Sequence, residues 1–123
     1  MTSLLFDESF AYWTTSCGQE DVTIQIDSKA LPIIPGVLEI AAQNRSGGMN
    51  TNKEHFAPGM EFLAGVPEDR RDLIFDPQTS GGLLISVAPE GADETMAKLT
   101  KSGIQAVFIG SVITRGDKPL IVG

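Results

Sequence analysis

Between Leu73 and Val87 the chain reads LIFDPQTSGGLLISV, and no other stretch restricts the backbone so tightly. Leu73 to Phe75 suits a helix end, Asp76 to Gly82 a polar turn, and Leu83 to Val87 a buried strand. Pro77 fixes its own φ and pushes Asp76 away from helix, while Gly81 and Gly82 permit angles that other residues avoid. Gln78, Thr79 and Ser80 lie between them with hydrogen-bonding side chains. A turn of this kind can aim backbone N–H groups and two hydroxyls at one anion, and it can equally be a plain loop that starts a strand. The residues alone leave both open.

The segments on either side alternate between helix and strand. Leu5 or Phe6, Phe10, Trp13 and Cys17 recur at helical spacing behind the acidic pair Asp7 and Glu8, so an amphipathic helix is predicted over residues 4–17. Val22 to Ile26 alternates as a half-buried strand. Pro35 is placed as the first residue of a helix through Val37, Leu38, Ile40 and Ala41. Gly47 and Gly48 are expected to stop that helix, with a short helical turn over Asn50 to Glu54. Met60 to Leu63 reads as a strand and Pro67 to Ile74 as a helix, with Arg70 and Arg71 on a solvated face. Adjacent helical positions diverge, which argues against those two arginines clamping one anion.

Beyond the central turn, Pro89 opens the clearest helix. Ala92, Met96 and Leu99 share a face, Glu94 and Lys98 are spaced for an i,i+4 pair, and Gly103 is the stop. Ala106 to Ile113 is an apolar strand interrupted by Gly110, and Pro119 to Val122 is a last short strand. Alternation throughout gives an α/β (α+β) class, with helices packed on a mixed sheet.

Composition narrows the chemistry. A chain of 123 residues suits one domain with one core. A formal charge of −7 opposes binding to nucleic acid or anionic lipid, and no apolar run is long enough to span a bilayer. The N-terminal residues lack the basic flank and apolar core of a secretory signal, so a cytoplasmic location is expected. The single cysteine, Cys17, excludes an internal disulfide and a cysteine zinc cage. His55 is the only histidine; with no partner nearby in sequence to orient it, a structural role is expected, and no metal ligands or catalytic residues are assigned.

The segment DPQTSGGLL, with RRDL before it, resembles the C-terminal domain of selenophosphate synthetase (selenide, water dikinase), a domain of the AIR-synthase type. Further matches are ALPIIPGVLEIAA at Ala30 to Ala42, the pair Gly47 and Gly48 followed by Asn52, and SGIQAVFIGSVITRG at Ser102 to Gly116. The resemblance covers residues 22–123 and leaves 1–21 as a divergent N-terminal helical segment. Met49 stands where the family typically has a threonine.

The resemblance implies a family that uses ATP and Mg²⁺ to make selenophosphate, AMP and phosphate from selenide, ATP and water. It also implies that the nucleophile, its lysine partner and the metal-binding aspartates lie in an N-terminal domain. For this chain it implies an anion- or phosphate-binding turn at Gln78, Thr79, Ser80, Gly81 and Gly82, shaped by Asp76 and Pro77, with Gly47, Gly48 and Asn52 as a secondary loop. No cofactor of the chain's own is expected. The expected partners are a small anion or nucleotide, and an N-terminal synthetase domain or a homo-oligomer. Three roles follow: a part of a split or truncated synthetase, a non-catalytic binder of anion, nucleotide or protein, and a structural or oligomerisation module.

Overall fold

The computed structural model describes residues 21–41, 43–77 and 83–123, together with the backbone of 2–6. Six strands form one mixed sheet: β1 (Thr2–Phe6), β2 (Val22–Ile26), β3 (Met60–Phe62), β4 (Leu84–Val87), β5 (Val107–Thr114) and β6 (Leu120–Val122), in the spatial order β3-β6-β2-β5-β1-β4. The pairs β3–β6 and β2–β6 are parallel, whereas β2–β5, β1–β5 and β1–β4 are antiparallel. The described helices are α1 (Val37–Ala41), α2 (Gly47–Phe56), α3 (Glu68–Leu73) and α4 (Pro89–Lys101), with a 3₁₀ turn at Ala57–Gly59. The α+β class expected from the alternating pattern is therefore the one observed.

Ile24 and Ile26 are buried while Gln25 between them is exposed, so one face of β2 meets the core and the other does not. Register places Leu120 beside Ile24 and Val122 beside Ile26, with Met60 and Phe62 on the far side of Leu120 and Val122. Met49 from α2 and Ile74 and Phe75 from the end of α3 complete this core, together with Val66 and Ile109. Burying side chains of this size contributes about 1.5–3 kcal/mol each.

β5 carries the irregularity that Gly110 foretold. Leu4 pairs with Gly110 but Leu5 with Phe108, leaving Ile109 as the extra residue of a bulge and wholly buried. On its other side Gly110 lies so close to β2 that a Cβ would stand 1.9 Å from the Gln25 carbonyl oxygen. Thr23, also fully buried, ties the β5–β6 connection to β2: its hydroxyl donates to the Lys118 carbonyl at 2.7 Å and accepts from the Gly116 amide at 2.8 Å.

Helix α4 forms as its caps dictate. Pro89 opens it, and Glu90 sits in the first turn. Gly103, in the left-handed region at φ 76°, closes it: its N–H bonds the Thr100 carbonyl, while that of Ile104 bonds Leu99. Lys98 and Glu94 pair at 2.7 Å on the exposed face.

Three expectations are corrected. Residues 2–6 form a strand between β5 and β4, not the start of a helix: a short run such as TSLLF also suits a strand, and two neighbouring strands supply its backbone partners. The remainder of that expected helix lies outside the described residues. Gly47 and Gly48 begin α2 instead of ending α1, because Ser46 is extended and its Oγ accepts from the Met49 amide at 3.2 Å. The end of α1 is covered by Asn44, whose side chain donates to the Ile40 carbonyl at 2.9 Å.

The third correction concerns Arg70 and Arg71, which are not on a solvated face. Arg70 donates to the Ser28 carbonyl across the molecule. Arg71 donates to the Val66 carbonyl at 2.9 Å and lies over the Phe62 ring, 5.3 Å from its centre. Their divergence along α3 sends them to different partners, each offering a backbone carbonyl that a guanidinium N–H satisfies.

Candidate functional site: the cradle of the central turn

Helix α2 runs past the point where the chain leaves α3, and it touches that exit in two places. Gly48 stands against Pro77, and a Cβ at Gly48 would be 2.9 Å from the Pro77 Cγ. One helical turn on, Asn52 Nδ2 donates to the Phe75 carbonyl at 3.0 Å. Residues four apart share a helix face, so Gly48 supplies the close approach and Asn52 the polar fastening. The exit is also fastened locally: the Phe75 amide bonds the Asp72 carbonyl at 3.0 Å and the Asp76 amide the Leu73 carbonyl at 3.1 Å.

The next pair of α2 positions points elsewhere. Met49 is buried in the core, so the side chain at the position where the resemblance expects a threonine packs among apolar residues. Lys53, four residues on, donates to Asp72 Oδ1 at 3.0 Å. Arg45, just before the Ser46 cap, donates to the other oxygen of the same carboxylate. The Asp72 side chain is only 8% exposed, whereas those of Arg45 and Lys53 are about half exposed at 48% and 49%. A buried carboxylate without partners costs several kcal/mol, and two cations bonded to its two oxygens offset part of that penalty.

Of the residues singled out in the sequence, Gly48, Asn52 and Pro77 therefore come together, and Gly47 opens the helix that carries the first two. Asp76 is half-buried at the turn's entry. Gln78, Thr79, Ser80, Gly81 and Gly82 lie outside the described residues, as does Cys17. Arg45, Lys53 and Asp72 were missed, because their pairings join positions far apart in sequence and no local pattern marks them.

His55 is exposed and meets the Phe56 ring edge-on, 4.7 Å between centres. Among the described residues no three His, Cys, Asp or Glu side chains converge to hold a metal ion. No helix among them is long and apolar enough to cross a membrane. A separate shallow depression of about 330 Å³ lies on the sheet face away from the core, lined in part by Gln25, Leu63, Ser111 and Ile121. It shares no residue with the cradle.

Comparison with known proteins identifies the family of the chain. Residues 16–123 match the family of the AIR synthase related protein, C-terminal domain. The chain is 39% identical over 104 residues to a selenide, water dikinase of Clostridioides difficile (strain 630), covering 83% of this chain and 30% of that protein. It is 40% identical over 107 residues to the selenide, water dikinase of Enterobacter sp. (strain 638), covering 85% and 30%. The selenide, water dikinase of Escherichia coli (strain K12) is 36% identical over 107 residues, with the same shares. The chain thus spans about 30% of the length of the curated relatives it matches. Matched along nearly its whole described length, it belongs to the family of AIR synthase related proteins, C-terminal domain, in the form that selenide, water dikinases carry.

Proposed function

We propose that this chain is the phosphate-facing, non-catalytic half of a selenophosphate-synthetase-like protein, which binds an anion or a nucleotide phosphate at the turn of residues 78–82. The observation that carries the reading is the meeting of Gly48 with Pro77 and of Asn52 with the Phe75 carbonyl. Two sequence motifs separated by some 25 residues, each resembling the same family, are packed together at the entry of one turn. Rigid support of this kind is what a loop needs if its amides and hydroxyls are to present a fixed set of donors.

In this reading ATP and Mg²⁺ belong to the site completed by an N-terminal synthetase part, which supplies the nucleophile and the metal ligands. The chain's own contribution is to hold phosphate oxygens by the Thr79 and Ser80 hydroxyls and the neighbouring glycine amides. Titrating phosphate, ATP or AMP against the protein while following the amide signals of residues 78–82 tests it. Shifts confined to these residues, Gly48 and Asn52 are expected; no response at millimolar ligand overturns the reading.

A second reading, a working part of a split selenide, water dikinase, is supported by the 39% and 40% identity to such enzymes over 104 and 107 residues. Selenophosphate formation from selenide and ATP when an N-terminal synthetase domain is added, and none from either part alone, is its test.

A further inference from the structure

We propose that the exposed apolar surface around α1 is the seat of a folded N-terminal synthetase part, whether joined to this chain or separate from it. The proposal rests on the reading above in which such a part completes the site, and it names the surface of this chain that receives it.

Residues 30–41, ALPIIPGVLEIA, carry a single charge, Glu39, in a chain of which 20% is charged. Ile34 and Ile40 are each 57% exposed and are, with Leu83, the most exposed large apolar side chains among the described residues. α1 joins the two: the Val37 amide bonds the Ile34 carbonyl at 3.1 Å, and Ile40 follows Val37 by three positions, on the same side of the helix. Pro32 and Pro35, on either side of Ile34, are exposed as well.

Apolar side chains scattered singly over a surface need no explanation, but several gathered on one short element do. α1 spans five residues and none of them is buried. A helix this short has no stability of its own. It is held by α3, against which it packs, while Ile34 and Ile40 stay open to solvent.

Shape and charge choose among occupants. An exposed helix is convex and offers a short peptide no groove to lie in. A second copy would set a charge of −7 against an equal one. The matched relatives supply a third occupant: this chain spans about 30% of their length and corresponds to a C-terminal domain, so in them a larger N-terminal portion shares the molecule with this fold. The core of a contact between folded partners is depleted in charge, as residues 30–41 are. The place also suits a shared site, because α1 packs on α3, whose exit Asn52 holds.

The test mixes the full chain with the separately produced N-terminal portion of the selenide, water dikinase that is 39% identical to it. Calorimetry gives dissociation constants for wild type, Ile34→Asp, Ile40→Asp, Ile40→Leu and Leu63→Asp. Leu63 is 43% exposed and lines the depression on the sheet face away from the core, so it is the control. Leu63→Asp and Ile40→Leu are expected to bind within about threefold of wild type, and both isoleucine-to-aspartate variants at least about tenfold more weakly. Amide spectra check that each variant is folded, and exchange of the amides of residues 37–41 should slow when the partner is added to wild type. If wild type binds and both of those variants bind as tightly, α1 is refuted as the seat while the split-synthetase reading stands. If wild type does not bind, both fall. If the free chain sediments as a dimer that Ile34→Asp dissociates, a second copy is the occupant and the proposal is overturned.

Discussion

Asn52 reaches from the middle of α2 to the carbonyl of Phe75, the last core residue before the central turn, and closes a 3.0 Å hydrogen bond across 23 positions of sequence. Two elements whose local sequences have nothing in common are thereby held in register.

Asn52→Leu would remove the donor and leave the Phe75 carbonyl part-buried and unsatisfied. The expected loss is about 1–3 kcal/mol in urea unfolding, and faster hydrogen exchange at Asp76 should accompany it.

Gly47 and Gly48 are adjacent and should respond differently to alanine. Nothing lies within 4 Å of a Cβ at Gly47, whereas one at Gly48 meets Pro77 at 2.9 Å. Gly47→Ala is expected to be neutral or stabilising by up to about 1 kcal/mol, while at Gly48 overpacking of about 1–3 kcal/mol outweighs the same helix gain. Equal melting temperatures for the two variants would contradict this.

Gly110→Ala sets a methyl group 1.9 Å from the Gln25 carbonyl oxygen, and backbone cannot step aside as a side-chain tip can. A loss of about 3 kcal/mol or more is expected, read as a large fall in the urea midpoint.

Thr23→Val keeps shape and deletes a hydroxyl that both donates to Lys118 and accepts from Gly116. Two backbone groups lose their partner at a buried point, so about 2–4 kcal/mol should be lost, with exchange rising first at Gly116.

Asp72→Asn keeps one acceptor oxygen, sets an NH₂ donor against one of the two cations and removes the charge that Arg45 and Lys53 share. Because both cations are half exposed and can be rehydrated, a moderate loss of about 1–3 kcal/mol is expected. A double-mutant cycle of Asp72→Asn with Lys53→Gln should show coupling of at least about 0.5 kcal/mol.

How far the sequence revealed this molecule depended on the range of each interaction. The strand from Val22 to Ile26 was legible because alternation is local, and α4 because Pro89 and Gly103 mark its ends. Gly47 and Gly48 were misread as a stop, since glycine serves at either helix end and the deciding contact is the Ser46 side chain on Met49. The strand at residues 2–6 was read as helix because its partners, β4 and β5, lie far along the chain. Arg70 looked solvated for the same reason, since the Ser28 carbonyl is 42 positions away, whereas the partners of Arg71, Val66 and Phe62, are near in sequence but reached only through the turn before α3. At the candidate site, family resemblance pointed to Gly48, Asn52 and Pro77, yet only the fold brought Asp72 to its two cations.

β6 lies between β3 and β2, so it is the sole link joining β3 to the rest of the sheet. β3 and β2 are thus joined only once the much later segment around Val122 has been inserted between them. Deleting residues 120–123 would strand β3 and take the buried Leu120 and Val122 from beside Ile24 and Ile26, so three residues act as the keystone of the parallel side of the sheet.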